Sequence, residues 1–513
     1  MSDQYLMALD AGSGAGRCAL VSLDGGKVVT AYHEWGYTTP PGLGMMTVEF
    51  DPDQFWKIFS QVIGQAIDKA GIKPEQVVAV SSTSQREGIV LLDENGKEIY
   101  AGPNRDYRAV LEGMQLSNTY GDDLYRRTGH FPVGMTGAAR LLWFKNRNPN
   151  VYERIRHMLS INDWVLYHLS NEYASEPTNA AETCLFDLVS GDWAYDIIDG
   201  LELNRDIFPK ILPAGAQLGT VTSQAARETG LRAGTPVVIG GADTQCGVLG
   251  CGGIHPNNIV AISGTTTPVQ MVTTQPVVDP SQRLWGGAHV VPGQFVLESN
   301  AGGSGSVYQW YRDSFFAEAV ETAKVTGQSA YKIMNEEAVL APAGSLGVQS
   351  FVGVMIMNAK SMIIPPNIIV LGMTPLASPI QSSRPLLTRA ILESLAYAVK
   401  ANTQQVLDVV GIKPTTMGVC GGLANSHLYL EALANTLQLP VRVPQIKEGT
   451  AVGAAICAGI GGGVFHTFEE GVDALVHIET EIHPEEHLSK QYQSFYRKWS
   501  KNLEYLMALS TRI

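Results

Sequence analysis

Residues 6–20 read Leu-Met-Ala-Leu-Asp-Ala-Gly-Ser-Gly-Ala-Gly-Arg-Cys-Ala-Leu, so two short apolar runs flank a turn that contains three glycines. Apolar runs on both sides of such a turn predict a β-hairpin. Glycine permits positive φ angles and lets the backbone come close to a ligand, and successive N–H groups in such a turn form an anion-binding nest. The stretch therefore predicts either a phosphate-holding hairpin or an ordinary glycine-rich one.

Two charged residues flank this turn. Asp10 ends the first apolar run, where its carboxylate can hold Mg²⁺ directly or through water, and Arg17 adds a positive charge nearby. Gly12, Ser13 and Gly14 lie between them as candidate phosphate contacts. The spacing matches neither G-x-x-x-x-G-K-[ST] nor G-x-G-x-x-G, and the turn leads into a strand, not a helix. These patterns disfavour a P-loop enzyme and a Rossmann dehydrogenase.

The chain has 513 residues, of which 45% are hydrophobic and 17% charged, an ordinary balance for a globular protein. Its length predicts two or three domains. Lys and Arg number 36 against 49 Asp and Glu, so the net charge is −13. A surface of this sign repels nucleic acid and anionic membranes unless a local patch overrides it, and no basic run occurs in the sequence. We therefore expect no nucleic-acid partner.

The cysteines and the N-terminus indicate a reducing compartment. The six cysteines are scattered and form no C-x-x-C pair, so we expect buried, reduced thiols rather than metal ligands or disulfides. Met1 is followed by Ser-Asp-Gln rather than by a basic and apolar leader, and no long uninterrupted apolar window occurs. We expect a soluble, cytoplasmic protein without a membrane partner. The oligomeric state stays open, with a homodimer as one alternative.

Apolar periodicity predicts the order of elements in the first half. After the hairpin, we expect a strand at 27–34, a helix at 55–70, strands at 76–82 and 89–92, helices at 138–145 and 161–169, a polar loop at 177–181 and a strand over 237–245. Three meandering strands followed by a helix and another strand are typical of a ribonuclease-H-like α/β unit. They fit a doubly wound sheet less well.

After residue 250 the pattern of the chain begins again. Strands predicted at 259–262 and 269–272 flank Ser263-Gly264-Thr265-Thr266-Thr267, a second strand–turn–strand element like that of residues 6–20. We therefore predict two related domains, residues 1–250 and 251–513, each contributing one phosphate-holding turn to a shared cleft. The later expected elements are a strand at 417–420 and helices at 387–409, at 428–437, from 449 and from about 483.

Several polar residues could carry phosphoryl-transfer chemistry, which needs charge neutralisation around the phosphates and a base beside the attacking hydroxyl. Asp10 and Asp243 each end an apolar strand and suit the metal and base roles respectively; a helix N-cap is the alternative for Asp243. Arg86 and Glu87 follow a strand and precede glycine, so they can bind substrate hydroxyls or form a solvated ion pair. Asn104, with Asp106 and Arg108, either binds substrate hydroxyls as well or belongs only to a turn.

Taken together, these stretches resemble the FGGY carbohydrate kinases of the actin-like, sugar-kinase and Hsp70 ATPase superfamily, from Tyr5 to about Gly463. Residues 9–17 look like the first phosphate hairpin, with Ser13 and Gly14 in place of the usual Thr and Ser. Residues 241–245 are similar to the segment with the catalytic base, and residues 263–266 match the second phosphate turn. The resemblance implies two ribonuclease-H-like domains of the actin and hexokinase ATPase type, with a nucleotide cleft between them.

The resemblance also implies roles for individual residues, with ATP and Mg²⁺ as cofactors. Asp243 would be the catalytic base, and Asp10 would orient Mg²⁺ through water. The implied substrate contacts are Arg86, Glu87, Asn104, Asp243 and Gln245. The implied nucleotide contacts are Gly12, Ser13, Gly14, Arg17, Gly264, Thr265, Gly421, Gly422 and Asn425. The adenosine loop departs from the family pattern at Cys420, Glu431 and Asn435, where Gly, Gln and Asp are usual.

The sequence narrows the substrate only to a class. Gln85-Arg86-Glu87-Gly88 resembles glycerol kinases and autoinducer-2 kinases, whereas xylulokinases usually have Met-His at Arg86-Glu87. Asn104 replaces the Trp of the common Trp-x-Asp-x-Arg and looks like autoinducer-2 kinases. The implied substrate is a small open-chain polyhydroxy carbonyl compound, with dihydroxypentanedione (autoinducer-2) and D-xylulose as leading candidates. A glycerol or ribulose kinase is an alternative.

Two other functions are possible on the same fold and are disfavoured. A weakly catalytic, sugar-sensing regulator would keep the sugar residues but lose Asp10 or Asp243, and both are present. An Hsp70-type ATPase would need a peptide-binding β-domain, and we expect the segment after residue 463 to be too short for one.

Overall fold

The computed structural model describes residues 4–360, 369–373 and 380–510. Within these residues, one six-stranded sheet draws all its strands from before residue 250, and one seven-stranded sheet draws all of its strands from after it. Helices cover both sheets. The predicted α/β class with two domains is confirmed, whereas the exact bounds, residues 1–250 and 251–513, stay a prediction.

The first large sheet contains the predicted hairpin. The strands of the first half are β1 Tyr5–Ala11, β2 Ala15–Ser22, β3 Val28–Glu34, β4 Val77–Ser84, β5 Ile89–Leu92, β6 Glu98–Gly102, β7 His157–Ser160, β8 Phe186–Asp187, β9 Asp192–Trp193, β10 Gln217–Thr220 and β11 Pro236–Ala242. The sheet order is β10-β11-β4-β1-β2-β3. β1, β2 and β3 form an antiparallel meander, and β4 and β11 extend it in parallel.

The second large sheet repeats this arrangement. Its half of the chain contains β12 Ile259–Ile262, β13 Thr266–Thr273, β14 Trp285–Ala288, β15 Phe295–Gly303, β16 Gln349–Ser350, β17 Val370–Leu371, β18 Met417–Cys420, β19 Val441–Pro444 and β20 Ile478–Ile482. β12, β13 and β15 form the antiparallel meander, and β18 and β19 extend it in parallel. The predicted internal repeat is therefore present in the fold.

Helices connect and cover these strands. They are α1 Pro52–Ala70, α2 Val110–Thr128, α3 Gly137–Arg147, α4 Pro149–Tyr152, α5 Ile161–Ser170, α6 Pro177–Ala181, α7 Tyr195–Gly200, α8 Ser223–Thr229, α9 Asp243–Gly250, α10 Gly305–Phe315, α11 Ala317–Thr326, α12 Ala330–Ala338, α13 Ile380–Val410, α14 His427–Leu437, α15 Gly449–Gly461, α16 Phe468–Leu475 and α17 Glu486–Ser510. The predicted long helices are all found, with ends that differ by a few residues.

Two local predictions were wrong. Residues 177–181, expected to be a polar loop, form α6, because the Glu176 side chain caps the helix by accepting hydrogen bonds from the backbone N–H groups of Thr178 and Asn179. The strand expected over 237–245 ends at Ala242, and Asp243 is the first residue of α9. The Gly-Gly-Ala run is apolar but small, so apolar periodicity alone does not locate the boundary.

β1 is buried on both faces, which explains its unbroken apolar sequence. Tyr5, Met7 and Leu9 pack with the residues of α1 and α5, whereas Leu6 and Ala8 pack with α15 on the other side of the sheet. Successive side chains of a strand point to opposite faces, so each residue of β1 meets one of the two helical layers. α15 belongs to the second half of the chain, and it completes the core of the first sheet.

α15 also packs closely against α9, and glycines make this approach possible. A Cβ atom at Gly453 would lie 1.9 Å from the carbonyl oxygen of Cys246, and one at Gly250 would lie 1.9 Å from that of Gly449. Neither distance is tolerable for real atoms. The contact between the two halves of the chain therefore depends on the absence of side chains at these positions.

The predicted state of the cysteines agrees with the structure, since all six are buried and free. Within the described residues, we find no helix that combines the length and the apolar character needed to cross a membrane.

We expect Gly453→Ala to lower the stability of the protein by about 1–3 kcal/mol, because the new methyl group would force α9 and α15 apart. Thermal or urea unfolding measures this change. The matched control is Gly64→Ala in α1, where no atom lies within 4 Å of the new Cβ and alanine is the better helix former. Equal stability of the two variants would show that the helices do not pack as closely as described.

Candidate active site

The candidate site lies where three neighbouring parallel strands end. β1, β4 and β11 run in the same direction, and their registers align Ala11 with Ser84 and Ser84 with Ala242. Residues that directly follow or end these strands therefore meet at one edge of the sheet. Asp10, Arg86 and Asp243 are brought together in this way, although they are far apart in sequence.

Asp10 is half-buried at the base of the first hairpin turn. It pairs across the hairpin with Arg17, which is exposed, and lies beside Thr83 of β4. Its Oδ1 atom is buried without a hydrogen-bond partner. Burial raises the pKa of Asp10, while the charge of Arg17 acts in the opposite direction. A buried carboxylate oxygen without a donor is a site where a cation or an ordered water would be favourable.

The hairpin turn is open on its outer side. The Gly12 N–H donates to the Ala15 carbonyl over 3.1 Å, and no atom lies within 4 Å of a Cβ built on Gly14. Gly12, Gly14 and Gly16 do not use the positive φ that glycine permits. At Gly16 glycine is required because a Cβ would lie 2.6 Å from the ring of Trp35. At Gly12 and Gly14 it leaves space for a ligand.

Asp243 occupies the first turn of α9, where the helix dipole favours a negative charge. Burial raises the pKa of Asp243 to about 6, with Arg86 lowering it and Asp10 raising it. The hydroxyl of Thr244 donates to Oδ1 over 3.1 Å. At neutral pH the carboxylate is therefore mostly ionised and able to take up a proton. The charges of Asp10 and Arg86 are therefore both close enough to act on this carboxylate.

Arg86 crosses the cleft between the two sheets. Its Nη1 and Nη2 atoms donate to the two carboxylate oxygens of Glu298 in β15, over 2.7 and 2.9 Å, and Nη1 also donates to Glu182 over 3.3 Å. The guanidinium lies over the Trp285 ring, 5.4 Å from its centre. The alternative of a solvated ion pair with Glu87 is thus wrong, because Arg86 pairs with carboxylates from other elements.

Glu87 is held in a conformation that is unusual for a residue other than glycine, with φ of 57°. Arg140, which is fully buried, donates to the backbone carbonyls of Glu87 and Met135, and also to the Tyr100 hydroxyl. Burial and the neighbouring Glu182 carboxylate raise the pKa of Glu87, which favours its protonated form. Arg140 therefore positions the turn that carries Arg86 and Glu87.

Gln85 links the first hairpin to the loop that carries Asn104. Its Nε2 atom donates to the Gly12 carbonyl and to the Tyr37 hydroxyl, and its Oε1 atom accepts from the Asn104 N–H over 3.1 Å. The Asn104 side chain donates to Ser13 Oγ over 3.4 Å. Asn104 therefore contacts a predicted phosphate residue directly, so the predicted substrate and phosphate sites share one hydrogen-bond network.

Gln245, in α9, faces a narrow crevice between the two halves. The crevice is lined by Arg86, His130, Glu182, Gln245, Gln270, Trp285, Gly286, Gly287, Val296 and Glu298 and is too narrow for a water molecule. The Oε1 atom of Gln245 is buried without a hydrogen-bond partner. An unpartnered amide oxygen costs free energy unless a ligand donates to it, so Gln245 is well suited to a substrate hydroxyl.

His130 and Glu182 add a second ion pair to this crevice. His130 Nε2 lies 3.0 Å from Glu182 Oε2. Burial acts to lower the pKa of His130, but the Glu182 carboxylate outweighs it and raises that pKa. The pKa of Glu182 is correspondingly lowered by His130 and Arg86, against the effect of its burial.

The second turn lies between β12 and β13, at the position that corresponds to the first hairpin. The Gly264 carbonyl accepts from the Gly305 N–H and from the Ser304 hydroxyl, and the Thr265 carbonyl accepts from the Ser306 hydroxyl over 2.8 Å. Gly264 is half-buried and Thr265 exposed. Because these carbonyls are occupied and the Gly264 N–H donates to the carbonyls of Ile262 and Thr266, the donors that the turn can offer to a ligand are the N–H and the hydroxyl of Thr265.

The glycine pair after β18 packs directly on this second turn. Gly421 has φ of 90°, and a Cβ there would lie 2.5 Å from the Ser263 carbonyl oxygen, so only glycine fits. Gly422 and Asn425 are exposed, and the Asn425 side chain donates to the Gly422 carbonyl over 3.1 Å. The predicted adenosine loop and second phosphate turn are therefore neighbours.

Among the residues of the site that had no role in the sequence-based interpretation are Gln85, Arg140 and Glu298. A signal was present for two of them, since Arg140 lies in Ala-Ala-Arg-Leu-Leu and Glu298 in Phe-Val-Leu-Glu. A charged residue within an apolar run is buried only when it has hydrogen-bond or ion-pair partners. The sequence therefore indicates that both side chains are held in place by such partners. The identity of their partners could not have been read from the sequence.

We expect Arg140→Lys to weaken sugar binding and lower stability. The guanidinium of arginine presents five N–H donors in one plane, whereas the ammonium group of lysine has three N–H donors on a single nitrogen. The unsatisfied carbonyls would cost about 1–3 kcal/mol, and the Michaelis constant for the sugar would rise more than that for ATP. Steady-state kinetics and a melting curve measure both effects. Arg147→Lys, in the same helix but half exposed and paired with Glu112, is the control; an equal effect there would refute the positioning role.

Comparison with known proteins identifies the family of the chain. The model of the FGGY family of carbohydrate kinases, N-terminal domain, matches residues 5–250, and that of the C-terminal domain matches residues 259–462. The chain is 36% identical to the autoinducer-2 kinase of Escherichia coli strain K12 over 503 residues, which cover 97% of the chain and 94% of that protein. It is 34% identical to the autoinducer-2 kinase of Yersinia enterocolitica, with the same shares covered.

Solved structures agree with this assignment. The xylulose kinase from Rhodospirillum rubrum superimposes with a TM-score of 0.80 at 25% identity, covering 99% of this chain and all of that one. The glycerol kinase of Plasmodium falciparum with ADP has a TM-score of 0.79 at 18% identity, over 98% of both chains, and thus shares the fold. The domain matches, the full-length relatives and the fold together show that the chain belongs to the FGGY family of carbohydrate kinases and is an ATP-dependent sugar phosphotransferase.

Proposed function

We propose that this kinase phosphorylates a terminal hydroxyl of a small, neutral, open-chain polyhydroxy carbonyl compound, with dihydroxypentanedione (autoinducer-2) as first candidate and D-xylulose as second. The observation that carries the proposal is the position of the Asp243 carboxylate, which begins α9 at the end of β11, at the same sheet edge as Asp10 and within electrostatic reach of Arg86. The full-length relatives named autoinducer-2 kinases favour the first candidate. The structural similarity to a xylulose kinase supports D-xylulose as the second candidate.

Asp243 acts as the general base in this proposal. The substrate hydroxyl gives its proton to the Asp243 carboxylate as its oxygen bonds to the γ-phosphorus, and the bond between that phosphorus and the bridging oxygen breaks to release ADP. A pKa of about 6 suits this task, because the carboxylate is mostly ionised at neutral pH yet basic enough to accept a proton. The N-cap alternative has less support, since Ala242 is the N-cap residue of α9.

The two turns hold the phosphates of ATP from opposite sides. On the first side, the N–H groups of Ser13 and Gly14, next to Gly12, supply donors, and the exposed Arg17 supplies positive charge. On the second side, the N–H and hydroxyl of Thr265, next to Gly264, supply donors. Phosphate oxygens accept hydrogen bonds strongly from such backbone nests, and most of the catalytic effect in phosphoryl transfer comes from this kind of charge stabilisation.

Asp10 fits the role of the Mg²⁺ residue. Its buried Oδ1 atom has no hydrogen-bond donor, and a divalent cation or a water bound to one would satisfy it. No group of three or more His, Cys, Asp or Glu side chains suited to a metal occurs among the residues the structure describes, so Mg²⁺ would be bound largely through water and phosphate oxygens. When bound, Mg²⁺ neutralises charge on the β- and γ-phosphates.

The remaining contacts divide between sugar and adenosine. Gly421, Gly422 and Asn425 form an exposed shelf beside the second turn, which suits a nucleoside. The sugar binds to four side chains. Arg86 offers its free N–H groups and Glu87 its carboxyl group; Gln245 offers its unpartnered Oε1 atom and Asn104 its amide. Since the crevice beside Gln245 is narrow in this structure, we infer that the two lobes open for the sugar and close over it. Closure would also exclude water and suppress ATP hydrolysis.

The experiment that tests the substrate assignment is an ADP-release assay with Mg·ATP and five candidate substrates: dihydroxypentanedione, D-xylulose, glycerol, D-ribulose and L-ribulose. We expect the highest kcat/KM with dihydroxypentanedione. A preference for D-xylulose would mean that Arg86, Glu87 and Asn104 do not determine the substrate as proposed. Activity with none of the five would leave a sugar-sensing regulator as the better interpretation, although the presence of both Asp10 and Asp243 argues against one.

We expect Asp243→Asn to lower kcat by roughly 10²–10⁴-fold, the usual contribution of a general base, and to leave ATP affinity nearly unchanged. The amide keeps the shape of the carboxylate but cannot accept the proton. Turnover and calorimetric ATP binding measure the two effects. The control is Asp408→Asn in α13, an exposed residue that accepts from Gln404, where no change is expected. Turnover near the wild-type rate would remove Asp243 from the base role.

A further inference from the structure

Arg86 is the cation best placed to bind an anionic substrate, and its two Nη atoms are already engaged. Glu298 binds it through two parallel hydrogen bonds of 2.7 and 2.9 Å, and Glu182 accepts a third. Bidentate arginine–carboxylate pairs of this kind are among the strongest ion pairs in proteins. The Arg86 side chain is 10% exposed and that of Glu298 2%, so the pair is screened little by solvent.

Glu298 is itself held from a second side. The Gln270 side chain donates to its Oε2 atom over 2.6 Å, and neighbouring residues of β13 and β15 fix both backbones, since Gln270 pairs with Glu298 across the two strands. The carboxylate therefore cannot move away from Arg86 without losing three hydrogen bonds, two from Arg86 and one from Gln270. The second sheet thus fixes the position of the Glu298 carboxylate, whereas Arg86 follows a strand of the first sheet.

Both cations that line the crevice have a carboxylate partner. Arg86 is paired with Glu298 and Glu182, and His130 lies 3.0 Å from Glu182. The nearby Asp243 adds a further negative charge. Among the described residues that line this crevice, a substrate carboxylate would thus meet no unpaired cation and several carboxylates that repel it. A neutral polyol meets no such penalty and can use the free N–H groups of Arg86 and the Oε1 atom of Gln245.

We propose that Glu298 is a specificity-determining residue, which occupies Arg86 and thereby makes the enzyme reject sugar acids in favour of neutral sugars. The inference rests on the proposed function, because it concerns the same sugar site. It adds the residue responsible for the discrimination and the class of compound that is excluded. Specificity of this kind is achieved by a repulsive element against the wrong ligand, in addition to contacts with the right one.

The test compares wild type with Glu298→Gln, using D-gluconate and D-xylonate as acids and the best neutral substrate as reference. Glutamine keeps the size of the side chain and a hydrogen bond to Arg86 but removes the negative charge. We expect the ratio of kcat/KM for the acids to that for the neutral substrate to rise at least ~10-fold. The double variant Arg86→Gln, Glu298→Gln should lose this gain, because Arg86 is the group that Glu298 releases.

Calorimetry separates failure of this inference from failure of the proposed function. Binding of D-gluconate needs no turnover, so a tighter Kd in Glu298→Gln than in wild type supports the role of Glu298 even if no neutral substrate is phosphorylated. An unchanged or weaker Kd in a variant that melts normally would overturn it. A loss of activity toward acids and neutral sugars in equal proportion, with no gain in acid binding, would show a purely structural role.

Two further variants complete the design. Should Glu298→Gln fold poorly, Glu298→Asp is the alternative, because it shortens the side chain by one methylene and weakens the bidentate pair with Arg86. We then expect an intermediate gain in acid binding. No gain would contradict the proposal. Glu481→Gln is the matched control. It removes the carboxylate from the Arg442–Glu481 pair of 2.9 Å, which lies at the surface of the same half, and should leave the ratio unchanged.

Discussion

The parallel alignment of β1, β4 and β11 is the constraint on which the site depends. Because the three strands end at one edge of the sheet, the carboxylates of Asp10 and Asp243 and the guanidinium of Arg86 meet within electrostatic reach. α15, from the second half of the chain, covers the far face of this sheet and packs against α9 through glycine contacts. Asp243, the proposed base, therefore begins a helix, α9, that contacts both halves of the chain. A movement of one half relative to the other would also change the position of Asp243.

Burial gives these charged groups their chemical character. In water, Asp243 would be fully ionised and a poor proton acceptor; in the cleft its pKa is raised to about 6 by burial, and the opposing effects of Arg86 and Asp10 adjust that value. Glu87 is shifted in the same direction by burial and by Glu182, whereas Glu182 is held ionised by His130 and Arg86. Three carboxyl groups in one cleft thus differ in protonation because each has a different set of neighbours.

Much of the fold could be predicted from local sequence. The hairpin at residues 6–20, β5 and β18 were located within a residue or two, since each is a short apolar run bounded by turn residues. The prediction failed where the signal was not hydrophobic: α6 forms through a Glu176 cap, and the boundary between β11 and α9 falls inside a run of small residues. In the first turn the glycines do not adopt the positive φ that they permit: Gly16 avoids a clash with Trp35, and Gly14 leaves space.

The sequence by itself determined the order of elements, their repetition in two halves and the identity of the residues that could hold phosphate, metal and sugar. These properties are local, since they follow from apolar periodicity, turn chemistry and short motifs. Only the tertiary structure decided which charges are neighbours: Arg86 with Glu298 of the other sheet, Arg140 with the Glu87 carbonyl, and Gln85 with both the hairpin and Asn104. Such pairs depend on strand direction and on the packing of the two halves, and residues up to 212 positions apart leave no trace of their contact in a single sequence.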